Sequence, residues 1–150
     1  MKIQTHSDLS DFKFEEQFRD MTMDPALFTH EAHIRLAWIH LRRYGEKEAI
    51  RQICTQIKQF DHHHGNGTKY HETMTVAAVK VVQHFISKSK VSSFSDFLSE
   101  FPRLKTHFKE LLDQHYSVNQ LIQPEAKTTY FEPDLLPFLC KSNEIDSQNR

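Results

Sequence analysis

Apolar residues recur every three or four positions along most of the chain, which is the period of an amphipathic α-helix. The first clear stretch spans residues 29–44, with Ile34, Ala37 and Leu41 on one face. Gly45 follows directly, and a glycine after the last periodic residue is a common helix C-cap. The pattern therefore predicts a helix over 29–44.

The same period continues in the middle of the chain. A second helix is predicted from about Glu46 to His63, where the letters "HGNG" end the pattern. A third is predicted over 69–86, with Thr68 as its N-cap, because threonine is a favourable residue before a helix. Ser95 is predicted to cap a short helix that ends before Pro102, and one further short helix is predicted from Leu104, Phe108, Leu111 and Leu112.

Prolines break the pattern towards the C-terminus. Pro124, Pro133 and Pro137 interrupt the segment after Tyr116. Because proline fixes φ and cannot donate a backbone hydrogen bond, this segment predicts short helical turns and an extended strap. We expect the strap, carrying "FEPDLLPF", to cover an opening of the bundle.

These elements predict an all-α fold, a compact bundle of four to five helices with an irregular proline-containing C-terminal strap. The hydrophobic content of 38% in 150 residues suits one domain with its own core. Only 3 glycines and 5 prolines are present, which favours long helices. Residues 1–23 are expected to form a partly ordered lead-in or a short helix, and residues 141–150 a frayed tail.

Charge and cysteine content narrow the function classes. Lys plus Arg is 19 and Asp plus Glu is 20, and no basic stripe favours nucleic acid or an anionic membrane. No apolar run is long enough for a signal sequence or a membrane span, so we expect a cytoplasmic protein. Cys54 and Cys140 have no CxxC partner, so no thiolate zinc site is indicated. The sequence does not indicate an oligomeric state.

The chain contains 11 histidines, and three of them lie on apolar helix faces. At about 100° per residue, His30 falls at the centre of the inward stripe of the first helix and His33 on its flank. His71 falls at the edge of the inner face of the third helix. We therefore expect His30 to be buried and all three rings to approach one another.

Two explanations fit converging histidines. Several neutral imidazoles in one bundle either satisfy one another by hydrogen bonds or share a cation. The metal hypothesis takes His30, His33 and His71 as ligands of one divalent transition metal, with Zn or Fe as the best candidates. An open coordination position would then take water or a small-molecule substrate.

Further residues are candidates around such a site. Glu72 is predicted as a fourth ligand or general base, although it points away from the middle of its helix face. Tyr70 and Tyr116 carry hydroxyls that could orient a substrate. Supporting roles outside the ligand set are predicted for His64, Thr75 and His115.

Two other polar residues have simpler interpretations. Arg35 falls on the outer side of the first helix, so we expect it to face solvent. His6 lies in the predicted lead-in and is expected to be mobile.

Four blocks, "FTHEAHIRLAWIHLR", "KYHETMT", "QHYS" and "FEPDLLPF", appear in this order between residues 28 and 138. Together they resemble a family of small, largely uncharacterised bacterial proteins with the blocks FxHxxHxxxA, YHET, YS and PDLxPF or PDLxPL. The resemblance implies neither an activity nor a substrate. The residues that match its pattern are Phe28, His30, His33, Tyr70, His71, Glu72, Thr73, Tyr116, Pro133, Asp134 and Pro137.

Three function classes follow. The first is a metal-dependent enzyme acting on a small molecule, with an unspecified reaction. The second is a metal or ligand sensor that uses the same site without catalysis. The third is a helical protein-interaction module whose histidines form a hydrogen-bonded core.

Overall fold

The computed structural model describes residues 2–138, so the predicted tail at 141–150 lies outside the described residues. Within that range the protein is helical and contains no β-strand, which confirms the all-α prediction. The helices, in chain order, are α1 (Asp11–Arg19), α2 (His30–Tyr44), α3 (Glu46–His64), α4 (Glu72–Ile86), α5 (Phe94–Glu100), α6 (Arg103–Thr106), α7 (Phe108–Asp113), α8 (Val118–Leu121) and α9 (Pro124–Thr128).

The three longest helices, α2, α3 and α4, pack against one another and form the centre of the bundle. The Thr29 side chain caps α2 by accepting a hydrogen bond of 3.3 Å from the Ala32 amide. Gly45 then separates α2 from α3 with φ of 83°, a left-handed conformation that favours glycine. The first two predicted helices therefore have the boundaries expected from the sequence, within one residue.

The third predicted helix starts later than expected. Thr68 does not cap it, because the Asn66 side chain accepts hydrogen bonds from both the amide and the hydroxyl of Thr68. The Asp61 carboxylate accepts the next two amides, those of Lys69 and Tyr70, at 2.8 and 2.9 Å. These bonds hold the chain in a loop, and α4 begins only after His71.

The N-terminal segment belongs to the core, and it contains a short helix, one of the two alternatives that the sequence left open. Ser10 caps α1, and Phe14 and Phe18 of that helix are fully buried. Leu9 and Met23 on either side are buried in the same hydrophobic cluster. The spacing of these apolar residues over a short helix is a weak signal, which is why the sequence did not decide between the alternatives.

Arg35 and His6 are also buried, contrary to expectation. The Arg35 side chain is only 8% exposed, and its guanidinium donates to the carbonyl oxygens of His6 and Leu9 at 2.6 and 2.8 Å. It also contacts the Asp11 carboxylate at 2.8 Å. The N-terminal segment therefore covers Arg35 on the outer face of α2, and Nε2 of His6 lies 3.0 Å from the Glu31 carboxylate.

The remaining helices are short and surround the central three. Helices α6 and α7 meet at His107, and α7 contacts α4. After α9 the described chain, to residue 138, contains no helix or strand and bends at 134–136, so the strap is irregular, as predicted. In the described part of the chain, no helix is both long enough and apolar enough to cross a membrane.

Candidate functional site

A cavity of about 660 Å³ lies between α2, α3, α4 and α7. Three phenylalanines, Phe28, Phe60 and Phe108, contribute to its wall together with aliphatic residues of the three central helices. Six of the residues selected from the sequence also line it: His30, His33, His64, Tyr70, His71 and Thr75. The helical periodicity therefore identified the correct faces of α2 and α4.

His33 is held on two sides. Its Nδ1 lies 2.8 Å from the Thr29 carbonyl oxygen, and since a carbonyl can only accept, Nδ1 carries the proton. The ring stacks on Phe28 with 3.7 Å between ring centroids. Partial burial lowers the pKa of His33, so the ring is neutral near pH 7 and Nε2 keeps a lone pair.

His30 lines the same wall but is exposed and not buried as predicted, because its inward direction leads to the cavity and not to packed core. Its Nε2 donates to the Leu104 carbonyl at 3.1 Å, and Phe108 contacts the ring edge-on. In the neutral ring Nδ1 is then the unprotonated nitrogen. No hydrogen bond to this nitrogen comes from the residues that the structure describes.

His71 differs from the other two, because both of its nitrogens have partners. It is the N-cap of α4, and Nδ1 accepts a hydrogen bond of 3.1 Å from the Met74 amide. Nε2 donates to the Leu121 carbonyl at 3.2 Å. His71 therefore fixes the start of α4 and has no free lone pair.

His64 and Thr75 lie at the cavity through similar backbone contacts. Nε2 of His64 donates to the Met21 carbonyl at 3.1 Å, and its ring packs on Phe60. The Thr75 hydroxyl donates to the His71 carbonyl at 2.7 Å. The cavity histidines thus bond to backbone carbonyls, and among the described residues none bonds to another histidine.

Tyr70 and Glu72 form a pair beside the cavity. The Tyr70 hydroxyl donates to the Glu72 carboxylate at 2.5 Å, and only Tyr70 of the two lines the cavity wall. Burial is the main cause of the raised pKa of Tyr70, with the Glu72 carboxylate adding to it. Burial also raises the pKa of nearby Cys54 to about 11, so this thiol stays protonated at neutral pH.

Tyr116 and His115 lie outside the cavity wall. The Tyr116 hydroxyl, at a residue only 1% exposed, donates to the Phe131 carbonyl at 2.7 Å. Nδ1 of His115 donates to the Leu136 carbonyl at 2.7 Å, and its ring stacks on Phe138. Both residues bind the strap, and the strap covers this side of the bundle and not the cavity.

Sequence reasoning missed two charged residues of the wall, Asp61 and Lys69. Asp61 follows Phe60 on the inward stripe of α3, which is the signal that could have found it. Lys69 reaches the cavity only because Asp61 folds the loop after α3 back on the helix. No local pattern predicts that loop.

The residues fit a metal ion only in part. His30 and His33 each donate one N–H to a carbonyl, the arrangement that orients metal-binding imidazoles. His71 would have to give up its cap on α4 to bind a metal. Within residues 2–138 no group of three or more His, Cys, Asp or Glu side chains is arranged to hold a metal ion.

Comparisons of the chain with protein-family models, curated proteins and solved structures found no match. The function is therefore inferred from the cavity and the side chains that line it.

Proposed function

We propose that this protein binds a small organic molecule in the cavity between α2, α3, α4 and α7. The proposal rests on the volume of this cavity together with its largely apolar wall and its few fixed polar groups. Ligand sites usually have volumes of roughly 300–1,000 Å³, mostly apolar walls and a few fixed polar groups. The cavity of about 660 Å³, with its phenylalanines and backbone-anchored histidines, meets each of these criteria.

The histidines of the wall are held in place by other residues, which favours a ligand-binding role for the cavity. A ligand loses less affinity to side-chain ordering when its polar partners are already held in place. His33 is held by Thr29 and Phe28, and His30 by Leu104 and Phe108.

Filling the cavity tests the proposal. Ala78 on α4 lines the wall, so Ala78→Phe should occupy part of the volume, whereas Ala78→Ser changes it little. We expect calorimetric titration with 2-naphthol or 2-methylnaphthalene to detect binding to the native protein and to Ala78→Ser. Ala78→Phe should weaken it at least tenfold with no loss of thermal stability. Absence of binding to the native protein, or equal binding to Ala78→Phe, would reject the cavity as the site.

A metal-dependent enzyme is the second candidate, and the free nitrogens of His30 and His33 support it. In that case a bound Zn or Fe ion supplies Lewis-acid chemistry or activates water. His71 would become the third ligand by giving up the hydrogen bond from the Met74 amide, and Glu72 would act as a base through the Tyr70 hydroxyl that donates to it.

Metal analysis of untagged protein separates this candidate from ligand binding alone. The metal proposal expects close to one equivalent of divalent metal, lost in His30→Ala and in His33→Ala and kept in His107→Ala. Loss of metal in His71→Ala as well would support the three-histidine set. Full metal content in the triple alanine variant of His30, His33 and His71, or none in the native protein, would reject it.

A further inference from the structure

Most polar side chains around the cavity already donate their hydrogens to other groups of the protein. At each of His30, His33 and His64, one ring nitrogen donates to a backbone carbonyl, which fixes the neutral tautomer. The Thr75 hydroxyl donates to the His71 carbonyl, and the Tyr70 hydroxyl to Glu72. The wall therefore offers almost no side-chain hydrogen-bond donors to a ligand.

Acceptors remain unused on the same wall. Nε2 of His33, Nδ1 of His30 and Nδ1 of His64 have no hydrogen-bond partner among residues 2–138. Lys69 is the exception on the donor side, and it is an exposed loop residue. All three histidines are exposed at the cavity, and an O–H or N–H group of a ligand that is enclosed by the apolar wall loses affinity unless it finds such an acceptor.

From this distribution we infer that the ligand is a neutral aromatic molecule carrying an O–H or N–H group, which donates to Nε2 of His33. The inference rests on the proposed small-molecule binding and specifies the class of ligand. The evidence for the ligand class differs from the evidence for binding itself. The ligand class follows from which atoms of the wall hold protons, whereas the proposal of binding follows from the volume of the cavity.

His33 is the best acceptor on geometric grounds. Its ring is fixed at one edge by the Thr29 carbonyl and on one face by Phe28, so Nε2 has a defined position. Phe28 in turn packs on Phe18 and Phe60, with ring centroids 4.6 and 5.2 Å apart. This aromatic cluster suits a planar ring, since aromatic pairs gain beyond their buried area.

Charge in the ligand is disfavoured by the same wall. The Asp61 carboxylate accepts two backbone amides at Oδ2, and the positively charged Lys69 of the same loop also lines the wall, so a cationic ligand would meet both charges together. A carboxylate ligand would find acceptors where it needs donors, apart from Lys69 at the loop. Desolvating an unpaired charge against phenylalanine and aliphatic side chains is costly.

Three probes of the same ring system test the inference: 2-naphthol, 2-methylnaphthalene and 2-naphthoate. The hydroxyl and the methyl group are similar in size, so the first two differ mainly in the donor. Calorimetric titrations at pH 8, where an imidazole with a pKa of about 6.5 is neutral, should show 2-naphthol binding about tenfold more tightly than either comparator.

His33→Phe identifies the acceptor, because it keeps a ring on Phe28 and removes the nitrogen. We expect the preference for 2-naphthol to fall to within about twofold, with unchanged binding of 2-methylnaphthalene, which also shows that the variant folds. His107→Phe, at an exposed position outside the cavity, should keep the tenfold preference.

The outcomes separate the two proposals. Equal binding of 2-naphthol and 2-methylnaphthalene would overturn the inference and leave cavity binding intact. Tightest binding of 2-naphthoate would overturn it in favour of recognition by Lys69. A preference that survives His33→Phe would reject His33 as the acceptor, and failure of all three probes would reject the proposed function itself.

Discussion

At the scale of single residues, Arg35 is the buried polar group with the greatest structural consequence. Its guanidinium satisfies the carbonyls of His6 and Leu9 and also lies 4.7 Å from the centroid of the Phe14 ring. An arginine suits this position better than a lysine, because its planar fork reaches several acceptors at once. Arg35 thereby attaches the N-terminal segment to α2.

Replacing Arg35 with methionine should destabilise the protein by about 3 kcal/mol, because buried carbonyls lose their donor. Urea denaturation measures the change in the free energy of unfolding. Arg19→Met is the matched control, since the Arg19 side chain is 52% exposed and, among residues 2–138, forms an ion pair with Asp20 alone. Its effect should stay below about 0.5 kcal/mol. Equal effects of the two variants would show that the buried contacts of Arg35 contribute nothing to stability.

His40 predicts a pH dependence of stability. It is fully buried, its Nδ1 donates to the Leu36 carbonyl, and burial lowers its pKa despite the nearby Glu15 carboxylate. The unfolded chain therefore binds more protons than the folded one below pH of about 6.5, and stability falls as pH decreases. The pKa values of His6 and His33 are lowered as well, and these residues contribute in the same direction.

Urea denaturation between pH 5 and pH 8 should show this loss, with up to about 1.4 kcal/mol per pH unit from each fully unprotonated buried histidine. His40→Gln should reduce the slope, whereas His107→Gln should not. An identical slope in His40→Gln and the native protein would show that His40 titrates alike in both states.

The positions of the cavity histidines could be predicted from sequence, but their proton positions could not. Periodicity predicted His30, His33 and His71 at one site, and in the structure all three line the same cavity. The partners of His30 and His71 are the carbonyls of Leu104 and Leu121, which are 74 and 50 residues away in sequence. Only the tertiary fold determines such bonds, and they decide which nitrogens remain free.

At the scale of elements, the strap after α9 is a stabilising segment. Besides Tyr116, the Thr73 hydroxyl contacts it by donating to the Thr129 carbonyl, and the Phe131 amide donates to the same hydroxyl. The Asp134 carboxylate accepts from the amide and the hydroxyl of Ser117, which lowers the pKa of Asp134. These contacts lie away from the cavity wall.

Tyr116→Phe should therefore lower stability by about 1 kcal/mol and leave binding of 2-naphthol unchanged within twofold. The loss of stability arises because the Phe131 carbonyl loses the Tyr116 hydroxyl as its donor. Thermal denaturation and calorimetry of the same preparation give both values. A tenfold loss of affinity would instead place Tyr116 in the binding site, as the sequence suggested.

The sequence predicted the long helices more accurately than the short helices and the loops. The pattern over 29–44 extends for about four turns, and α2 matches it closely. The loop before α4 was missed because its conformation depends on the Asp61 carboxylate, eight and nine residues before the amides it binds. The single short helix expected around Leu104 and Phe108 is instead divided at His107.

At the scale of the whole molecule, a ligand bound in the cavity should stabilise the fold. A ligand that binds only the folded state raises the free energy of unfolding, by about 2.7 kcal/mol at a concentration of 100 times Kd. We expect 2-naphthol to raise the melting temperature of the native protein and not that of Ala78→Phe.

A crystal structure of the protein with 2-naphthol would show directly whether the ligand occupies the cavity and donates to His33. We expect the naphthalene ring inside the cavity, in contact with Phe28 and Phe108, and its oxygen at a hydrogen-bond distance of about 2.7–3.1 Å from Nε2 of His33. The exposed apolar side chains Val118, Ile122, Leu135 and Leu136 offer a competing surface. Naphthol bound there with an unchanged cavity, or in the cavity with its oxygen directed to Lys69, would rule out this mode of binding.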